Sequence, residues 1–122
     1  MYAIMSTMLG QLKNKIEKEL IHFVKNTHTL RMLRGISPLL SKSIENFILR
    51  DGKRIRPILF TVGYLSFAKR IASNIYTSAI SMELLHDFML VHDDIIDKSE
   101  TRRCKPSMHA LFNRYLAKSK NI

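Results

Sequence analysis

The sequence predicts an all-α fold of about five helices, and three observations lead to this class. Apolar residues recur at three- and four-residue steps along most of the 122 residues, as on one face of a helix. Alternating strand patterns with turn pairs such as Asn-Gly are missing. None of the four glycines and three prolines lies between Tyr64 and Lys105. With 46% hydrophobic residues the chain can bury one core, so we expect a single domain over residues 1–122.

Three helices are predicted in the first half of the chain. The first covers about residues 8–26, where apolar side chains form one stripe. The second covers residues 37–52 and begins at Ser37-Pro38, a side-chain cap followed by proline at the first helical position. The third covers about residues 56–68. We expect the stripes of these helices to build the core.

A long fourth helix is predicted over about residues 71–98, and a fifth follows Pro106 to the C-terminus. At 1.5 Å per residue the fourth helix would be about 40 Å long. Its middle, residues 84–91, is apolar on most sides, which is expected of a helix surrounded by other helices.

Charge is distributed unevenly along the chain. The net charge is +10, yet six of the ten acidic residues lie between Glu83 and Glu100 beside a single base, Lys98. A dense acidic cluster in a basic protein indicates a cation site beside an anion site. The single cysteine, Cys104, excludes an internal disulfide and favours a reducing compartment, so we expect a cytoplasmic protein. No apolar run approaches the roughly 20 residues of a membrane span.

Three aspartates lie near the end of the fourth helix. Asp93 and Asp97 are one turn apart on one face, and Asp94 is turned about 100° away. Their neighbours Val91, Ile95 and Ile96 suggest burial, which is costly for carboxylates unless a cation compensates. Mg²⁺ suits such oxygen ligands and commonly shares them with substrate phosphates. Taken alone, the pattern fits a solvated acidic helix end equally well.

Two basic clusters flank the aspartates. Residues 52–57, Gly-Lys-Arg-Ile-Arg-Pro, lie at a helix entrance, where backbone N–H groups and the helix dipole favour an anion. Arg102 and Arg103, with Lys105, follow the aspartates closely, and guanidinium groups suit phosphate oxygens. Each cluster alone could be a solvated basic patch. Together with the aspartates they predict a magnesium-bridged diphosphate site with room for a second anion.

These motifs resemble those of the trans-isoprenyl diphosphate synthases, or polyprenyl synthetases. Residues 83–103 are similar to the first aspartate-rich region of that family, residues 52–57 to its upstream basic motif, and residues 105–109 to its continuation. The resemblance covers about residues 39–109. It implies an all-α fold with long helices around a central cavity. It also implies Mg²⁺-dependent condensation of isopentenyl diphosphate with an allylic diphosphate.

The resemblance also implies roles for individual residues. Asp93 and Asp97, supported by Asp94, would bind the Mg²⁺ that bridges to the allylic diphosphate, which Arg102 would contact. His86 could instead be an ordinary core histidine, and Arg54 is expected on the solvated side of its motif. Isopentenyl diphosphate would be held by four residues: Lys53, Arg56, His86 and Arg103.

Product length is predicted from the residues that precede the aspartates. Phe88 stands five residues before Asp93, where a bulky side chain limits chain growth in the family, and Met89 adds bulk. Core packing explains the same residues, and the two interpretations are compatible. The expected product is short, geranylgeranyl or farnesyl diphosphate.

The sequence departs from the family pattern in two respects. Cys104 follows the paired arginines where the family has glycine, so the local backbone is expected to differ, and the thiol is expected to be structural. No acid follows Glu100, so the family's second aspartate-rich motif is absent. We therefore expect an incomplete N-terminal part of a synthase that is not catalytically competent alone. It would act as a homodimer or with a partner that supplies the missing half.

Two other functions are compatible with parts of the sequence. The first is a noncatalytic regulatory subunit of a complete synthase, although such subunits commonly lose the aspartates that this chain keeps. The second is a small basic domain that binds nucleic acid. Two features argue against this second function. The Lys and Arg residues are spread along the chain, and the acidic cluster would repel phosphate, so we expect no nucleic-acid partner.

Overall fold

The computed structural model describes residues 2–120, and within that range the chain is built of six α-helices and one short β-hairpin, which confirms the all-α class. The elements in chain order are α1 Tyr2–Asn26, α2 His28–Ile36, α3 Pro38–Ile48, α4 Ile55–Phe67, α5 Ile75–Ile96, β1 Thr101–Arg102, β2 Lys105–Pro106 and α6 Met108–Lys120.

The core lies where α5 meets α1, α2 and α3. Its buried members are Ile16, Leu20, Val24, Leu30, Ile48 and Ile80. The buried face of α5 changes along its length, because Ala79 and Ile80 are followed by Glu83, Asp87 and Asp94. The helix thus carries an apolar anchor in its first half and buried carboxylates in its second half.

The short helix α2 is absent from the sequence prediction. Its apolar residues Leu30 and Leu33 do lie on one helical face, but nine residues are fewer than the window over which helical periodicity is recognised in a sequence. Tertiary contacts hold it against α3: the Ser41 hydroxyl donates to the Leu30 carbonyl at 3.3 Å, and Arg34 Nη2 lies 2.6 Å from Glu45 Oε1.

Two predicted helix starts are wrong. Helix α1 begins at Tyr2 rather than at residue 8, because its first two turns are exposed and carry no burial pattern. Helix α5 begins at Ile75 rather than at residue 71. The Tyr64 hydroxyl explains the second difference, since it donates to the Arg70 carbonyl at 3.0 Å and accepts from the Ala72 N–H at 3.1 Å. These bonds hold the preceding segment in a turn.

The prediction that the middle of the long helix is enclosed on most sides is also wrong for the described part of the chain. Leu85 and Phe88 are each 57% exposed, and Met89 is 51% exposed. Helix α5 therefore buries one face and leaves another, largely apolar face open.

The hairpin carries the paired arginines. Thr101 pairs with Pro106, and Arg102 pairs with Lys105. The turn residues Arg103 and Cys104 have φ values of 54° and 61°. Two positive φ values are typical of the type I′ turn, which suits the twist of a two-stranded hairpin. The left-handed turn forms with cysteine at the position where the family resemblance predicts glycine. None of the helices in residues 2–120 combines the length and the apolar character that a membrane crossing needs.

Candidate functional site

Five of the predicted site residues line one cavity of about 380 Å³, which we call the basic pocket. They come from three separate segments: the α3–α4 connection with the start of α4, the middle of α5, and the hairpin. Glu83 is the one acidic residue among the side chains that line it. The five residues are Lys53, Arg56, His86, Arg102 and Arg103.

Arg54 anchors the segment that carries Lys53 and Arg56. The predicted solvated position of Arg54 is wrong, because the residue is 2% exposed. Its Nε lies 2.6 Å from Glu17 Oε1 and its Nη1 lies 2.8 Å from Glu83 Oε1. Desolvation opposes the charge of Arg54, but the bonds to both carboxylates prevail and raise its pKa. The alternation of buried Arg54 with exposed Lys53 and Arg56 is a tertiary effect that local sequence does not reveal.

Arg102 connects the basic pocket to the aspartates. Asp94 is 1% exposed and receives a two-pronged contact, with Arg102 Nη2 2.6 Å from Oδ1 and Arg102 Nε 3.2 Å from Oδ2. This hydrogen bonding is the main reason that the pKa of Arg102 is raised. The charges of Asp93 and Asp97 add to the rise, so all three aspartates act on this guanidinium.

The three aspartates are not buried together as the sequence suggested. Asp94 is buried, and the guanidinium of Arg102 compensates its charge. Asp93 and Asp97 are exposed, and neither forms an ion pair with a side chain of residues 2–118. Within residues 2–120 no three acidic, histidine or cysteine side chains converge as a metal-holding group. Two exposed carboxylates one turn apart are nevertheless a donor set that fits Mg²⁺, which often takes its remaining ligands from phosphate and water.

His86 lies at the edge of the basic pocket beside Arg56. Arg56 Nη1 is 3.3 Å from His86 Nε2, and a neutral imidazole can accept this hydrogen bond. Partial burial lowers the pKa of His86, and the nearby charge of Arg56 lowers it further. His86 therefore offers a neutral ring at pH 7 and a cationic one in acid.

A buried ionic cluster behind the pocket is a feature that the sequence prediction missed. Arg103 Nη2 lies 3.2 Å from Asp87 Oδ1 and 3.4 Å from Glu83 Oε1. Burial, followed by the charge of Glu83, raises the pKa of Asp87 to about 7. The one signal in the sequence is the spacing of Glu83 and Asp87, one turn apart in an otherwise apolar stretch.

Phe88 and Met89 lie outside the basic pocket. Phe88 borders a second cavity of about 380 Å³, an apolar groove between α3, α5 and α6 that Phe47, Val91 and Met108 also line. Its ring centroid is 4.4 Å from that of His92, in an edge-on arrangement. Met89 is half exposed and lines neither cavity. The structure therefore separates the predicted chain-length residues from the predicted diphosphate-binding residues.

A sequence model described as polyprenyl synthetase matches residues 37–118. The chain is 36% identical over 73 residues to a short chain isoprenyl diphosphate synthase of Methanocaldococcus jannaschii, covering 60% of this chain and 22% of that protein. It is 33% identical over 102 residues to heptaprenyl diphosphate synthase component 2 of Bacillus subtilis, covering 84% of this chain and 26% of that protein.

A third relative extends the comparison. Over 111 residues the chain is 34% identical to a prenyl transferase of Porphyra purpurea, covering 88% of this chain and 33% of that protein. The chain thus spans between 22% and 33% of the length of these three relatives. No solved structure matches it significantly.

Proposed function

Because the chain belongs to the polyprenyl synthetase family, we propose that it carries a diphosphate-binding part of a prenyltransferase. The proposed reaction joins isopentenyl diphosphate to an allylic diphosphate and makes a short isoprenyl diphosphate. The relatives include a short chain isoprenyl diphosphate synthase, a heptaprenyl diphosphate synthase component and a prenyl transferase, which supports this reaction class.

The convergence of five predicted binding residues on one cavity is the observation that supports the proposal. In the basic pocket the four predicted cationic residues and the buried Arg54 line a space of about 380 Å³, and His86 contributes a polar ring. Phosphate oxygens accept hydrogen bonds from guanidinium and ammonium groups, and these bonds are strong because both partners are charged. We assign isopentenyl diphosphate to Lys53, Arg56, His86 and Arg103.

The allylic diphosphate is assigned to the aspartate side of Arg102. Asp93 and Asp97 would hold Mg²⁺, and Asp94 could join them once Arg102 releases it. Bound Mg²⁺ would supply neutralisation of the negative charge on the departing diphosphate. Arg102 would donate to the same diphosphate, so its two donors would exchange the Asp94 carboxylate for phosphate oxygens.

Product length and assembly complete the proposal. We assign the limit on product length to Phe88 and Met89, and the apolar groove beside Phe88 offers space for a hydrocarbon chain.

Leu85, Met89 and Ile96 leave an exposed apolar face on α5 next to Asp93, which favours a second copy or a partner as its cover. The name of the Bacillus subtilis relative, component 2, describes one component of an enzyme. The free, exposed Cys104 is compatible with a cytoplasmic location.

Calorimetric titration with isopentenyl diphosphate tests the basic pocket. Lys53→Ala and Arg56→Ala should each weaken binding about tenfold or more, since each removes a charged hydrogen bond worth roughly 1.5–3 kcal/mol. Arg31→Ala is the matched control, because it removes an exposed arginine of α2 that does not line the pocket. Equal affinities in all four proteins would contradict the assignment.

Titration with an allylic thiodiphosphate, in the presence and absence of Mg²⁺, tests the aspartate site. We expect Mg²⁺-dependent binding that Asp93→Ala abolishes. Asp51→Ala is the control, since it removes an exposed carboxylate next to the basic motif. Binding that ignores both Mg²⁺ and Asp93 would contradict this half of the proposal.

A noncatalytic regulatory subunit is the second candidate function. The contact of Asp94 with Arg102 favours it, because this pair occupies one of the three carboxylates that a metal site would use. A regulatory subunit would change the rate of a complete synthase without binding the allylic analogue itself.

Tight, salt-sensitive binding of duplex DNA would instead support a nucleic-acid function.

A further inference from the structure

We propose that Asp87 is a positioning residue that controls anion binding in the basic pocket through Arg103, with tighter binding when Asp87 is protonated. The inference rests on the proposed function, because it takes the basic pocket as the diphosphate site. Asp87 itself does not line that pocket, whereas Arg103 does.

The geometry makes Arg103 a shared side chain. One of its nitrogens, Nη2, lies 3.2 Å from Asp87 Oδ1 and 3.4 Å from Glu83 Oε1, while the residue also lines the basic pocket. The Asp87 side chain is 6% exposed, so it meets Arg103 away from water. The negative charge of Asp87, which lies outside the pocket, therefore competes with negative charge inside the pocket for the same guanidinium.

The contact between Arg103 and Asp87 is incomplete. Asp87 Oδ2 and Arg103 Nη1 are both buried, and neither has a hydrogen-bond partner within the described part of the chain. Arg102 differs, because it contacts both oxygens of Asp94. A buried donor without a partner is costly, so Arg103 can gain by rearranging towards an anion.

The charge balance of the cluster explains why Asp87 is the group that changes state. Direct contacts join two guanidinium groups, Arg54 and Arg103, to three carboxylates, Glu17, Glu83 and Asp87. One carboxylate is in excess, and Asp87 is buried beside the like charge of Glu83.

The surroundings of Asp87 set its titration. Glu83 faces Asp87 from the same helix, Arg103 from the hairpin and Arg54 from the α3–α4 connection. Asp87 also lines the apolar groove between α3, α5 and α6, as does His92. Arg50, two residues after the end of α3, has its pKa lowered by burial, and it lies near enough for the charge of Arg103 to lower that pKa further. Burial, the larger cause, and Glu83 raise the pKa of Asp87 to about 7, so its charge changes in the neutral range.

Protonation of Asp87 has a defined consequence for the pocket. It removes one negative charge behind Arg103 and leaves Glu83 as its remaining carboxylate partner. The pocket then presents a larger net positive charge to an anion. Because anion binding and protonation are linked, an anion bound in the pocket must raise the pKa of Asp87. The coupling free energy is the same in both directions.

Sulfate titrations of the full chain, followed by NMR at pH 6.0 and pH 8.0, test this inference, because the charge of sulfate is constant over that range. We expect wild type to bind about threefold more tightly, or better, at pH 6.0 than at pH 8.0. Asp87→Asn should bind at pH 8.0 with nearly the wild-type affinity of pH 6.0. Asp51→Asn, which alters a carboxylate that is 99% exposed, is the control and should behave as wild type. We expect a smaller pH dependence to remain in Asp87→Asn, because His86 lines the same pocket and gains charge in acid.

The carboxyl carbon shift of Asp87 in the wild-type chain gives a second measurement that needs no variant. We expect a midpoint near pH 7 that moves upward when sulfate is added. A midpoint near pH 4, or an Asp87→Asn chain that keeps the full pH dependence, would overturn the inference alone. Failure of both sulfate and pyrophosphate to bind at either pH would overturn the proposed function, and this inference with it.

Discussion

Arg54 is the most densely connected side chain around the basic pocket. Its guanidinium contacts Glu17 and Glu83, and its Nη2 donates to the Arg50 carbonyl at 2.7 Å. Its backbone adopts the left-handed conformation, with φ 54°, at the start of α4. One residue thus fixes α1, the α3–α4 connection and α5 relative to each other, and with them the positions of Lys53 and Arg56.

Replacing Arg54 should destabilise the fold severely. Arg54→Gln leaves Glu83, 2% exposed, as a buried charge without its closest partner, and breaking such a pair costs about 3–5 kcal/mol. Urea unfolding followed by circular dichroism measures the free energy of unfolding. Arg34→Gln breaks the more exposed pair with Glu45 and should cost less than about 1 kcal/mol. Equal losses in the two variants would contradict a central role for Arg54.

Asp87 should make wild-type stability depend on pH. Its folded pKa, about 7, lies above its ordinary value of 3.8, so its contribution is complete below about pH 4 and is lost as the pH rises through 7. Asp87→Asn removes this loss, and at pH 8 it should be more stable than wild type by on the order of 2 kcal/mol. Unfolding of both chains at pH 5 and pH 8 measures the difference. A stability gap that does not widen with pH would contradict the prediction.

Sequence alone could predict the residues of the basic pocket but not the ionic cluster behind it. Lys53, Arg56 and Arg102 lie in short basic motifs, and lysine and arginine side chains can bind phosphate wherever the fold places them. The burial of Arg54 and Asp87 depends on which helices meet, and local sequence does not contain that information. The expected burial of Asp93 was wrong for the same reason, since its neighbours Ile95 and Ile96 are exposed.

Among the elements, α5 shows the same division between local and tertiary information. Its helical character and its acidic end follow from the sequence pattern. The first residue of α5 does not follow from the pattern. The Tyr64 hydroxyl bonds to the backbone of Arg70 and Ala72 and holds these residues in a turn, so the helix begins only at Ile75. Helix α2 was missed because its nine residues are too short a run for the spacing of Leu30 and Leu33 to stand out as a helical period.

The hairpin turn allows a test at the level of an element. Cys104 has φ 61°, where a residue with a Cβ is strained and glycine is not. Cys104→Gly should therefore raise the free energy of unfolding by about 1 kcal/mol. Cys104→Ser is the matched control, because it removes the thiol but keeps the Cβ, and it should be nearly neutral. Equal effects of the two substitutions would show that backbone strain at Cys104 is negligible.

At the scale of the whole molecule, the two faces of α5 have different environments. One face packs on the core with its first half and carries the buried carboxylates of Glu83, Asp87 and Asp94 on its second half. The other presents Leu85 and Met89 to solvent, two turns and one turn before the exposed Asp93. The basic pocket is formed within the chain, whereas the surroundings of the predicted allylic site remain open on this exposed face.

This asymmetry predicts binding without turnover for the purified chain. Prenyl transfer develops an allylic cation, and a site open to water cannot protect such a cation during reaction. We expect the chain to bind isopentenyl diphosphate but to convert less than about a thousandth as much substrate as a complete synthase at equal concentration. Incorporation of radiolabelled isopentenyl diphosphate into solvent-extractable product measures turnover, and Arg56→Ala shows whether any product depends on the basic pocket. Sustained formation of elongated product by the chain alone, lost in Arg56→Ala, would show that the exposed face of α5 needs no cover.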